Sequence, residues 1–173
     1  MSQLAFMTFG ILREPGGHPD VQGFFDAGVD VFANADVASG FIDRYRYPAN
    51  TGGDPFGEYV AGRFVTPGFD DRVAPTLSLW RDLEAVFAFA YAGVHAPALR
   101  RRKEWFVTSE WPTYVAWWVA DDRRPDWPEA NAWHEHLHDH GSTSFAFDFR
   151  SPFAADGQPI MLDRTRIATL QGR

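Results

Sequence analysis

The chain contains no cysteine. Thiol nucleophiles, thiolate metal ligands and disulfides are therefore excluded, as suits a reducing compartment. Positive charge is also in deficit, with 16 Lys and Arg against 23 Asp and Glu and a net charge of −7. A nucleic-acid partner needs a basic face to displace phosphate counterions, so none is expected. No apolar run approaches the roughly 20 residues of a membrane-spanning helix, so no membrane partner is expected either. The first residues, MSQLAFMTFGIL, lack the basic start and small-residue cleavage site of a signal peptide, which points to the cytoplasm.

Aromatic residues are what the chain has in abundance. They make up 16% of its 173 residues, with seven Trp and sixteen Phe. A chain this long forms one domain with a real core. Its aromatic content implies an aromatic core, a subunit interface or a flat pocket, because large rings bury their faces and Trp and Tyr seek partners for their polar tips.

Periodicity sets out the elements. Residues 4–12, LAFMTFGIL, are apolar on both faces, as in a strand covered on both sides. Val21, Phe24, Phe25, Gly28, Val29 and Phe32 recur at helical spacing, and Gly40 ends that segment. FIDRYRY (41–47) alternates, with Asp43, Tyr45 and Tyr47 on one face and Arg44 and Arg46 on the other, which predicts a strand. Residues 48–74 are rich in glycine and proline and form a long loop of the kind that serves as a lid. PTLSLWRD is the next strand, and Asp82 caps the helix after it.

That helix carries Leu83, Val86, Phe87, Ala90 and Tyr91 on one stripe, then breaks between Gly93 and Pro97. TYVAWWVA (113–120) is a strand whose neighbours Trp117 and Trp118 point to opposite faces. Residues 125–141 form a helix with Pro128 in its first turn and Gly141 at its end. SFAFDFR (144–150) alternates as a last strand, and residues 154–173 form a C-terminal arm after a domain of 1–153. The order is that of an α+β, ferredoxin-like βαββαβ unit with an extra helix and strand. Helices cover one face of such a sheet, and since the other face is also apolar, a second copy is expected to cover it, making a homodimer.

Several residues carry candidate chemistry. His95 follows Tyr91 by one turn and Phe87 by two, so an unbroken helix would aim all three at the sheet. It is either an acid/base with a pKa near about 6.5 or a core histidine serving backbone groups freed by the break. Arg100 to Lys103 span a whole turn, so most are solvated, and one, Arg101 or Arg102, is left to hold a ligand oxygen. Arg44 or Asp43 is a pocket candidate, because one face of their strand must be buried and a charge there needs a partner, and Tyr45 shares the face of Asp43. His134–Glu135–His138 spells H-E-x-x-H, but Ser144 stands where a third histidine would be needed, so no metal is assigned.

The segments LSLW, FAYAGVHAPALRRRKEWF, YVAWWV, RRP and HGSTSFAFDFRSPF resemble an uncharacterised bacterial domain-of-unknown-function family over residues 4–153. Its signature reads here as H-x(4)-R-R-R-x-x-W-F, from His95 to Phe106. The family belongs to the dimeric α/β-barrel superfamily, alongside the antibiotic-biosynthesis monooxygenases. The resemblance implies that fold and a pocket between the sheet and its helices. Cofactor-free oxygenases of the superfamily are similar in placing a Trp on the third strand, where Trp80 sits, and use an Asn on the first strand where this chain offers Thr8.

The resulting expectation is a small-molecule enzyme, a cofactor-independent oxygenase or an isomerase or cyclase acting on an aromatic or polyketide-like substrate. His95 and Tyr91 are its catalytic candidates, and Trp80, Phe87, Trp105, Arg102, Arg44, Tyr45 and Trp118 its substrate-binding ones. No cofactor is expected. The alternatives are a hydrophobic-ligand binding protein and a haem protein with His95 as axial ligand.

Overall fold

The structure, a computed structural model, describes residues 1–46 and 53–172. Strand β1 (Ser2–Thr8) lies inside a four-stranded antiparallel sheet. It pairs on one side with β3 (Thr76–Trp80) and on the other with β4 (Tyr114–Ala120), so that Leu4 stands between Trp80 and Trp118. A short β2 (Phe41–Arg44) lies outside β3, which makes the order β2-β3-β1-β4.

Helix α1 (Pro19–Asp36) joins β1 to β2, with Pro19 in its first turn and His18 Nδ1 accepting from Asp20 N–H. The chain then turns at Gly40, where φ is +83°, and enters the sheet. Helices α2 (Leu83–Ala90) and α3 (His95–Trp105) lie between β3 and β4, and α4 (Trp127–His140) follows β4. Two helix ends are those that the sequence implies: Asp82 accepts from Ala85 N–H, and Gly141 ends α4. The structure adds a third cap, Asp126, which accepts from Glu129 N–H at the start of α4. A short α5 (Arg164–Leu170) closes the described chain, capped by Asp163.

Strand alternation feeds two cores. Leu4, Phe6, Trp80 and Ala116 face one way, onto Leu83 and Val86 of α2 and onto Phe147, Phe149 and Phe153. Ala5, Met7, Leu77, Leu79, Val115 and Trp117 face the other way. Trp127, Ala130 and Leu137 of α4 cover them, with Phe56, Tyr59, Phe64 and Val65. Glu129 fastens this cover, accepting from the Trp117 indole at 3.0 Å and from Arg123 at 2.6 Å. A third cluster of Leu12, Val21 and Trp105 joins α1 to α3.

Four expectations are corrected. The second face of the sheet is covered by the chain's own α4 and residues 53–73, so the reason for a second copy to cover it disappears. Within the expected 48–74 lid, Phe56 is fully buried, and the described part is a packed cover; residues 48–52, and Tyr47 before them, lie outside the described residues. The strand expected at 144–150 is reduced to one bridge, Ala116 to Phe147. Asp148 Oδ1 then accepts from Arg150 and Ser151 N–H and turns the chain away from the sheet. The strand expected over 41–47 is shorter, because a register irregularity falls between Phe41 and Asp43 and the Asp43 carboxylate accepts from Arg44 N–H.

Candidate functional site

The 91–94 turn sets the geometry at His95. α2 ends where Tyr91 N–H donates to Phe87 O, Gly93 adopts a φ of +50°, and α3 restarts at His95. The turn leaves the Ala90 carbonyl near the imidazole, and His95 Nδ1 meets it at 2.7 Å. A carbonyl only accepts, so Nδ1 carries the proton and Nε2 keeps its lone pair. Among the described residues Nε2 has no hydrogen-bond partner. The ring rests against Phe89, centroid to centroid 5.2 Å, and Phe89 rests in turn on Trp80 at 5.1 Å.

His95 lines a cleft of about 330 Å³, near the lower end of small-molecule sites at roughly 300–1,000 Å³. The end of α1 supplies Asn34, and the following turn Val37, Ala38 and Ser39. Helix α2 supplies Ala85, Ala88 and Phe89, and α5 with its cap supplies Leu170 and Gln171. Among the described lining residues none carries a formal charge, so the cleft offers an anionic ligand no counter-ion. Small side chains from α2 make the space, and His95, Ser39, Asn34 and Gln171 supply its polar groups.

Burial pushes the His95 imidazole below its ordinary 6.5, against the opposing pull of the Ala90 carbonyl. His134 is lowered by burial too, and its Nε2 bonds the Pro112 carbonyl. Protons therefore bind the unfolded chain more readily than the folded one. The stability from these neutral histidines is complete above about 6.5 and is lost as pH falls below that value. The expected result is a melting temperature that declines from pH 7 to pH 5. Each histidine contributes at most about 1.4 kcal/mol per pH unit. Thermal melts of wild type and of a His95→Asn, His134→Gln double variant check this, and an equally steep decline in the variant would refute it.

The other candidates are dispersed. Phe87 and Tyr91 pack at a tilt with ring centroids 4.6 Å apart and turn toward Phe149, and Tyr91 does not line the cleft. The helix break separates them from His95. Trp80 stands behind Phe89, and Trp118 donates its indole N–H to Phe153 O on the same side of the sheet. Tyr45 lies on the opposite side, against Trp127. Trp105 is buried between α1 and α3 under Arg101. Arg44 is held by Asp36 through two hydrogen bonds of 2.9 and 3.0 Å, and Arg102 is exposed and donates to Leu99 O. Neither guanidinium reaches the cleft.

In the H-E-x-x-H stretch, Glu135 accepts from Arg63 N–H and His138 packs on Phe64. Among the described residues no group of three or more His, Asp or Glu side chains is placed to hold a metal ion. Asn34, Ser39, Leu170 and Gln171 were invisible to sequence reasoning, since nothing in their local pattern signals that three distant segments converge.

The family described as Domain of unknown function (DUF3291) matches residues 3–163. A search of curated proteins found no match. Among solved structures, a protein of unknown function from Nitrosomonas europaea is similar, at 11% identity and a TM-score of 0.46, over 72% of this chain and 96% of that one. Among the described residues no helix is long and apolar enough to cross a membrane.

Proposed function

The chain belongs to the DUF3291 family, and from that premise we propose that it is a small-molecule enzyme whose base is His95. The ligand is uncharged and largely apolar, an aromatic or polyketide-like molecule, and it occupies the cleft between α1, α2 and α5. One observation carries this reading: Nδ1 is pinned to the Ala90 carbonyl while Nε2, on a residue that lines the cleft, has no partner among the described residues. A lowered pKa keeps the imidazole neutral near pH 7, as a base must be. The chemistry this supports is proton abstraction from the ligand, leading to isomerisation, cyclisation or cofactor-independent oxygenation. Tyr91 and the Arg side chains drop out of the proposed machinery, because they stand away from the cleft.

The strand order β2-β3-β1-β4 supports a ferredoxin-like reading of the fold. In place of the face-to-face homodimer of the barrel superfamily, α4 and residues 53–73 take the position that a partner sheet would fill. Cytoplasmic residence belongs to this proposal and rests on the sequence. Haem does not fit the residues present: among the described lining residues no cation is placed to meet its propionates, although Nε2 has the form of an axial ligand.

The test uses hydrogen–deuterium exchange at the acidic carbon of uncharged aryl ketones in D2O, followed by NMR. Wild type is expected to exceed the buffer background. His95→Asn keeps an N–H for Ala90 but removes the base, so it should fold normally and lose about 10²–10⁴-fold of the exchange rate. Exchange that is unchanged in His95→Asn would refute the assignment. A non-catalytic binding protein would instead bind these ketones with no exchange at all.

A further inference from the structure

Resting on the reading of His95 as the base at this cleft, we propose that Leu170 is its specificity-determining residue and sets the length of an uncharged hydroxylated ligand. An Nε2 that keeps its lone pair accepts a hydrogen bond, so the group it recognises is a donor. A hydroxyl is the uncharged donor that suits a lining without charge among the described residues. The remainder of the ligand must then fill the space left by Ala38, Ala85 and Ala88. Of the larger apolar side chains there, Val37 and Val94 are exposed at the rim, and Phe89 is held between Trp80 and His95. Leu170, half-buried on α5, is the side chain left to close the space.

The position of α5 gives this wall its independence. The family match ends at residue 163, and α5 begins at Arg164, so this wall is contributed by a segment beyond the matched region. It is nevertheless firmly attached to α2. Ile167 is buried, Arg166 pairs with Asp82, and Asp163 N–H donates to Glu84 at 3.1 Å. Gln171 Nε2 donates to Ala88 O at 3.3 Å, at the cleft itself. A wall anchored to the helix that leads into His95 holds a fixed distance from the base, which is what a length filter requires.

The probes are phenol and its 4-alkyl derivatives up to 4-butylphenol, titrated against the full chain. The readout is the 15N signal of the His95 ring in two-dimensional NMR. Short members are expected to shift that signal in wild type, and members beyond a limiting length are not. Leu170→Ala should raise the limit and strengthen binding of the first excluded phenol at least about fivefold, while Leu170→Phe should lower it. Opposite shifts in two variants exclude simple loosening of α5. An unmoved limit in both variants, with the His95 signal still responding, overturns the role of Leu170 alone. No response of His95 to any phenol in any of the three proteins overturns this proposal together with the reading on which it rests.

Discussion

Replacing Trp127 by alanine is expected to cost about 3–5 kcal/mol, a large share of the stability of a domain this size. The side chain is fully buried at the start of α4, edge-on between Tyr45 at 5.1 Å and Tyr59 at 4.9 Å. Of the two tryptophans that α4 sets against the second core, Trp127 is the fully buried one and Trp133 the partly buried one. Its loss leaves a cavity beside Tyr45 and Tyr59 and loosens the cover of that face. Wild type is expected to scatter light as a monomer, because both faces are covered from within the chain. Trp127→Ala is expected to self-associate as its midpoint in urea falls. A loss below about 1 kcal/mol would show that α4 is not what covers the sheet.

Gly40→Ala is expected to be nearly as damaging, by about 3 kcal/mol, for two separable reasons. Gly40 has a φ of +83°, and a Cβ built there would lie 2.5 Å from the Cβ of Ala85 on α2. The same turn carries Ala38 and Ser39 into the cleft wall, so the damage reaches the candidate site. Removing the opposing methyl in a Gly40→Ala, Ala85→Gly double variant should recover the contact part and leave the backbone part. Gly28→Ala is the control. Gly28 lies within α1, where a Cβ would meet nothing within 4 Å, and this change should raise stability by about 0.5–1 kcal/mol. Urea denaturation of these four proteins and of the Ala85→Gly single variant measures all of this, and losses in the double variant equal to the sum of the two singles would refute the contact.

What could be read from the sequence was local. Strand alternation placed Trp117 and Trp118 on opposite faces, and Asp82 and Gly141 marked helix ends where the structure has them. The break at Gly93 and Pro97 was visible, but its effect was not: it parts His95 from the Phe87–Tyr91 stripe and sets it beside Phe89. Alternating Phe145, Phe147 and Phe149 imitates a strand. In the structure Phe145 is exposed and stacks on Trp133, while the other two enter the first core. The cover on the second face was missed because glycine and proline between 53 and 73 conceal a sparse set of aromatic anchors. α5 is only seven residues long, too short to show a period, and the cleft depends on it.

The pairing of β1 has a consequence for how the chain comes to be folded. This strand precedes every other element, yet its two neighbours are residues 76–80 and 114–120. At roughly 5–20 residues per second of synthesis, it waits seconds for one edge to be filled and longer for the other. For that interval Leu4, Ala5, Phe6 and Met7, all buried in the finished molecule, belong to an open and greasy ribbon on the ribosome. A segment buried in the finished sheet is thus one that begins with both its edges unpaired.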